Sequence, residues 1–492
     1  MVSTGIFFPR FMSPERRGMH QRFLNSMRSA RVHFYLGVAL AGLTGCGVTA
    51  PPSDDLKLPA EWRNAGKFPI ASPKQDLTRW WGRFNDPTLN RLISSALQDS
   101  PDIKTAKSRV REARANRDSQ DASLFPILDG GGGGILRRDR EKGFSSASSQ
   151  AYSAELDASW EVDLFGRNRS SVEAAAANLG AAGENLNSVH AALAAEIAST
   201  YTSLRANEAK LVVLLKNVST REETAQLAGW RLKAGEADTL EATQSQSSLE
   251  AARAGIPTLQ GAISQGKNDL ARLIGRTPGA LDSMLSRSRG IPMPPASLAI
   301  GIPADVLRQR PDVRTAGYQV LSAAASTRAT EATQYPSLNL TGSLGLNTSS
   351  GTKLFDPQST AARIAGNIAS PIFDAGRIKA DIEASRAGEE QAVLNYRKTV
   401  LTALSDTENA LIACRRSAER LTILEKATQL ARESDEVARQ RYQAGEIDFR
   451  DVLDSQRTLL GLEDNLLSTR TDHTTAYIRL YQALGGGWSA GS

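Results

Sequence analysis

Apolar residues recur along this chain with two different periods. Val172, Leu179, Leu186 and Leu193 fall seven apart, and after a step of four the spacing resumes through Ile197, Leu204, Leu211, Val218, Ala225 and Leu232. A sevenfold repeat is the seam of a coiled coil, and the step of four is a stutter in it. The pattern predicts one helix over 167–233, a rod of about 100 Å at 1.5 Å per residue. Such a rod cannot hide its apolar side inside a compact domain. A short turn supplies an antiparallel partner over 238–274. From Tyr152 to Leu164 the period is two instead. Tyr152, Ala154, Leu156, Ala158, Trp160, Val162 and Leu164 alternate with Ser153, Glu155, Asp157, Ser159, Glu161 and Asp163. Leu338, Leu340, Leu344 and Leu346 alternate in the same way with Ser337, Asn339, Thr341 and Ser343. Ile364, Gly366 and Ile368 suggest a returning strand, and residues 127–136 a weaker one. Such segments, apolar on one side and polar on the other, are the signature of a membrane β-barrel. A soluble hairpin with one face on a core shows the same alternation. Two hairpins give four strands, whereas the smallest membrane barrels need about eight. If these strands span a membrane, several chains must share one barrel.

The whole pattern occurs twice, at a constant offset of 210 residues. Ser100-Pro101-Asp102-Ile103 matches Arg310-Pro311-Asp312-Val313, Phe125-Pro126 matches Tyr335-Pro336, and Gly166-Arg167 matches Gly376-Arg377. Arg231-Leu232-Lys233-Ala234-Gly235-Glu236 matches Arg441-Tyr442-Gln443-Ala444-Gly445-Glu446. A gap-free register over this length indicates a duplication. Each copy holds a first helix (86–123 and 303–333), a β-hairpin (126–164 and 336–372), and two long helices, in the second copy 376–443 and 448–484. Pro257 should kink or interrupt the second long helix of the first copy. The expected organisation is a signal segment 1–45, an extension 46–85, repeats at 86–275 and 302–485, a Pro-rich linker 276–301 and a tail 486–492.

Composition narrows the function. The net charge is +6, but residues 1–46 contain six Arg and one acid, +5, which leaves +1 for the rest. No basic patch with interleaved aromatics points to nucleic acid. Two cysteines make no disulfide framework. The four histidines are scattered without metal-ligand spacing, and no Ser/His/Asp set or phosphate loop is visible. The sequence therefore points away from an enzyme, a metal site or a cofactor. Arg28 and Arg31 precede an apolar run, Val32 to Leu43, too short to span a bilayer. It ends in Leu43-Thr44-Gly45-Cys46, which looks like a lipobox, making Cys46 the candidate lipidation site and first mature residue. An ordinary secretory signal ending near a chance Cys reads similarly. Gly47, rather than Asp, follows the Cys, which by the sorting rule for such lipoproteins favours the outer membrane. The stretch before residue 27 is long for a signal, and Met19 and Met27 are alternative translation starts. No later run of 18 apolar residues exists.

Several multi-residue segments then carry a resemblance. They are Trp80-Trp81-Gly82-Arg83-Phe84-Asn85-Asp86-Pro87, Trp160-Glu161-Val162-Asp163-Leu164-Phe165-Gly166-Arg167, Arg308-Gln309-Arg310-Pro311-Asp312-Val313 and Tyr481-Gln482-Ala483-Leu484-Gly485-Gly486-Gly487-Trp488. In this order, and with the lipobox, the chain from Cys46 on resembles TolC-like outer-membrane factors, most closely their OprM/NodT-type lipoprotein branch. The resemblance implies a mainly α fold with membrane β-strands and a homotrimer. Its 12-stranded β-barrel would sit in outer-membrane lipid above a periplasmic α-helical barrel. It also implies a periplasmic adaptor and an inner-membrane transporter as partners, and a passive duct for small molecules such as drugs. A periplasmic coiled-coil adaptor or scaffold lipoprotein is the alternative. The cargo is not legible.

The resemblance also assigns candidate residues. The turns at Gly235 and Gly445 match the periplasmic tips that face the adaptor, although each glycine also suits a helix C-cap. Asp451 and Asp454 match an acidic pair that constricts the tunnel, and Asp454 with Arg457 matches the lipoprotein branch. Three apart on a helix, the two aspartates also suit a solvated face. Glu241 and Tyr442 match positions that latch helices together. Ile447 stands where TolC itself has a latching Arg, which puts that latch in doubt.

Overall fold

The computed structural model describes residues 58–66, 77–139, 147–295 and 303–488. The chain divides into units 1–49 and 50–492, and every described residue belongs to the second. Cys46 and the signal segment lie outside the described residues.

A 3-10 helix, Trp80–Phe84, is the first element, followed by α1 (Pro87–Asp99), α2 (Pro101–Ala122), β1 (Ile127–Asp139), β2 (Ala147–Val162), α3 (Arg167–Ala234) and α4 (Thr239–Ile274). A short α5 (Asp282–Leu285) leads to α6 (Pro303–Gln309), α7 (Pro311–Ala332), β3 (Ser337–Thr348), β4 (Thr360–Ala369), α8 (Arg377–Gln443) and α9 (Phe449–Ala483). The first helix of each repeat, expected unbroken, is split. Pro101 and Pro311 lack the N–H that would continue the ladder and push Ser100 and Arg310 to extended backbone, ψ 134° and 122°. Pro257 does not interrupt the helix, since α4 runs through it. Leu249, Ala252 and Ile256 pack on Val218 and Leu214 of α3 next to it, and this lateral contact holds the helix.

The expected heptad residues of α3 are all buried or half-buried. The two hairpins form one antiparallel sheet in the order β1-β2-β3-β4. Its register stacks like on like. Leu156 faces Leu344, Trp160 faces Leu340 and Gly342 faces Ile364 on one side; Asp157 faces Ser343 and Glu161 faces Asn339 on the other. The apolar side is largely open, with Leu136, Leu156, Leu344 and Ile364 exposed. Strand β2 stops at Val162 rather than Leu164, because Asp163 turns to cap α3. Its carboxylate accepts from the amides of Asn168 (3.3 Å) and Arg169 (2.9 Å). Asp374 caps α8 in the same way through Gly376 and Ile378.

The helices pack side by side as a wall. Near the sheet the packing order is α2-α3-α7-α8; at the far end it is α4-α3-α9-α8. Midway, a core binds the two repeats. Trp80 stacks on Tyr481 (5.1 Å, 12°) among Leu92, Ile93, Ile197, Leu204, Leu270 and Leu480. Asp86 caps α1 through Thr88 (2.8 Å) and accepts the Tyr201 hydroxyl (2.7 Å). Arg310, almost fully buried, donates to Asp312 (2.7 Å), Asp406 (3.3 Å) and the Ala483 carbonyl (3.1 Å). Burial works against its charge, but the two carboxylates outweigh this and hold its pKa above the ordinary value. The duplication persists at atomic scale. Gly275 ends α4 against Pro101, and Gly485 follows α9 against Arg310. Both have positive φ, and a Cβ there would approach Pro101 Cδ to 2.8 Å and the Arg310 amide to 3.2 Å.

Candidate functional site: the helical tips and the membrane wall

The far ends of the long helices form two tips. Gly235 ends α3 in the left-handed region (φ +74°), with its amide on the Leu232 carbonyl (3.1 Å) and that of Glu236 on Arg231 (2.8 Å). Gly445 repeats this after α8 (φ +75°), donating to Tyr442 (3.0 Å) while Glu446 donates to Arg441 (2.9 Å). Both are Schellman-type caps that favour glycine. A Cβ on either glycine meets nothing within 4 Å, so only the backbone restricts these positions. Asp238 then caps α4 through the Glu241 amide (2.8 Å).

Between the tips the structure brings Glu241 and Tyr442 together. Tyr442 is buried with Phe449, Val452 and Leu453, and its hydroxyl donates to the Glu241 carboxylate. Burial, and then that bond, push the phenol pKa up to about 12. Arg231 completes the group. Its guanidinium lies 4.9 Å from the centre of the Tyr442 ring and 3.6 Å from Glu241. Sequence reasoning passed over Arg231. The signal was present: Arg231 and Glu241 flank a tight turn between antiparallel helices and therefore sit side by side. Ile447 packs against the apolar cluster instead of reaching the pair.

Asp451 and Asp454 lie on the first turns of α9, exposed, while Phe449, Val452 and Leu453 of the same turns face Tyr442. Asp454 and Arg457 approach to 3.6 Å with both side chains about two-thirds exposed (66% and 64%). A wet pair of this kind contributes on the order of 1 kcal/mol or less. Farther from the tips the hairpins meet through buried polar groups. Gln456 donates to Thr224 across them (3.3 Å), while Arg439 pairs with Asp435 (3.0 Å) within α8. Arg221 donates to Asn217 and Ser248; burial and nearby Arg457 hold its pKa below the ordinary value.

At the other end, where strands become helices, aromatic side chains gather. Phe165 stacks on Tyr335 (4.8 Å, 15°), Trp160 donates to the Leu124 carbonyl (3.0 Å), and Phe373 is 90% exposed. Aromatics at this level, below an open apolar sheet face, mark a bilayer interface. Among the described residues no cluster of His, Cys, Asp or Glu suits a metal ion, and no helix is long and apolar enough to cross a membrane.

The outer membrane efflux protein family model matches residues 92–276 and 302–486, most of both repeats. The chain belongs to the outer membrane efflux protein family. It is 30% identical over 459 residues to the pyoverdine export outer membrane protein OpmQ of Pseudomonas aeruginosa, covering 91% of this chain and 95% of that protein. It is 29% identical over 457 residues to the cation efflux system protein CusC of Escherichia coli, with 92% and 97% covered. Among solved structures, the outer-membrane channel OprN superposes with a TM-score of 0.83 at 28% identity, covering 90% of this chain and all of that one. The open-state MtrE outer membrane channel of Neisseria gonorrhoeae gives 0.78 at 27%, with 89% and 97% covered. The resemblance to TolC-like factors thus holds over nearly the whole chain. This outer membrane efflux protein is an outer-membrane channel of an efflux system, with its sheet in the membrane and its helices in the periplasm. The alternative of a periplasmic adaptor or scaffold falls away.

Proposed function

We propose that three copies close edge to edge into one duct that carries small molecules from a periplasmic adaptor and an inner-membrane transporter to the exterior. The supporting observation is the wall's two unlike free edges. On one edge α8 shows Leu394, Leu401, Ile412, Ile423, Leu430 and Val437, all exposed. Their spacings of 7 and 11 keep them on one side of the helix. On the other edge α4 shows Thr243, Ser247, Ala251, Ala254, Thr258 and Gly261, also exposed and three or four apart. A ridge of large apolar side chains fits a strip of small ones, and unlike edges join head to tail into a ring. The resemblance to TolC-like channels favours three copies, which would supply twelve strands. Light scattering corrected for detergent should give a mass near three chains, and Ile423→Asp with Leu430→Asp should break it into monomers. A stable wild-type monomer that conducts ions would contradict the ring.

The chain is anchored by lipid at Cys46. Palmitate labelling should vanish, and precursor accumulate, in Cys46→Ser; labelling that persists rules the anchor out.

The tips at Gly235 and Gly445 meet the adaptor. Trp at either position fits the free space around the missing Cβ but strains the positive φ and thickens the tip. Gly235→Trp and Gly445→Trp should each block export in cells while mass and outer-membrane fractionation stay unchanged. Normal export by both would place the contact elsewhere.

Asp451 and Asp454, gathered threefold about the axis, form the narrow end of the tunnel. A ring of carboxylates favours cations and binds polyvalent ones. In planar bilayers, Asp451→Ala with Asp454→Ala should lower cation selectivity and weaken block by trivalent cations. An unchanged reversal potential together with unchanged block would assign both residues to an ordinary solvated face.

A further inference from the structure

The duplication contains its own control. Arg231 and Arg441 are equivalent residues, each in the last turn of a long helix just before a tip glycine. A basic side chain at a helix C-terminus has an obvious structural use, because it offsets the negative end of the helix dipole. Arg441 does no more than this locally. It turns back onto Glu446 of its own tip (3.1 Å), with both side chains more than half exposed. Arg231 has the corresponding acid, Glu236, in its own tip, yet its guanidinium lies over a ring of the other repeat. It sits 4.9 Å from the Tyr442 ring centre and 3.6 Å from Glu241, with the side chain three-quarters covered.

We propose that Arg231 is the cation of a three-residue clamp that joins the two helical hairpins at their tips and keeps the tunnel end narrow; the proposal rests on the channel reading above. Each member acts on the other two. Glu241 accepts the Tyr442 hydroxyl, and the guanidinium offsets the negative charge held beside that buried phenol. The same guanidinium is drawn to the electron-rich face of the ring. The three side chains come from the end of α3, the start of α4 and the end of α8, so the clamp spans both repeats. Ile447 supplies no charge there, and Arg231 provides it from the opposite hairpin.

The clamp bears on the first turns of α9. Phe449, Val452 and Leu453 rest on Tyr442, and Asp451 and Asp454 ride on the outer side of the same turns. Freeing Tyr442 loosens the helix segment that carries the aspartates. Arg231 is therefore a positioning residue, acting on the narrow end through Tyr442 and α9.

The test uses the full-length channel in planar bilayers. Arg231→Gln should raise mean conductance about fivefold, the size of a lost partly exposed cation–π contact and ion pair. Arg231→Lys, which keeps charge and ring contact, should stay near wild type, and Arg441→Gln should change nothing. In a Tyr442→Leu background, already unclamped, Arg231→Gln should add no further increase. Hydrogen exchange provides a readout independent of conductance: the amides of 449–454 should exchange faster in Arg231→Gln than in wild type. Wild-type conductance and exchange in Arg231→Gln would overturn the clamp, as would an equal effect from Arg441→Gln or Arg231→Lys. A wild-type protein that never conducts would sink the channel reading instead, leaving the exchange comparison to decide the clamp.

Discussion

A backbone N–H or C=O left unpaired in hydrocarbon costs several kcal/mol, so a sheet in a membrane can have no open edge. Here β1 and β4 are the edges of a four-stranded sheet whose apolar side is exposed. Among the described residues the helical wall below ends in α8 on one side, crossed there by Arg63 and Asn64 at Glu408, and in α2 and α4 on the other. Strand edge and helix edge lie in one continuous seam. Closing the first against lipid brings the second together, so the membrane requirement organises a periplasmic rod that lipid never touches.

The largest core lies in the middle of the molecule, where the two repeats meet. The belt around Trp80 and Tyr481 draws residues from both ends of the chain, and each large apolar side chain buried there contributes roughly 1.5–3 kcal/mol. Arg310 adds a buried charge that is held only because Asp312, Asp406 and the Ala483 carbonyl all reach it. At the tips the balance differs. A small apolar cluster around Tyr442 is edged by partly exposed ion pairs, each of order 1 kcal/mol or less.

The duplicated halves have diverged where they face different tasks. Gly275 and Gly485 keep the same role against Pro101 and Arg310, because helix packing in the belt leaves no room for a Cβ. The tip arginines have separated: Arg441 stays with its own turn, and Arg231 reaches across to the other repeat.

Much of this was determined locally and so was legible in the sequence. The four long helices fall within one residue of the spans their periodicity predicts, because a heptad seam and a glycine cap are properties of neighbouring residues. The alternation of Tyr152–Val162 and Leu338–Leu346 marked two of the strands; β1, with its run of five glycines, was weak because glycine has no side chain to alternate. Glu241, Tyr442, Asp451 and Asp454 were picked out by resemblance rather than by chemistry. Tertiary structure decided the rest. It joined the two hairpins through β2 and β3 and carried α4 through Pro257 on lateral packing. It also chose the partner of Arg231, more than two hundred residues away in Tyr442. No local pattern specifies such a pairing, because it depends on how two helical hairpins lie against each other, which is set by the whole length of their packing.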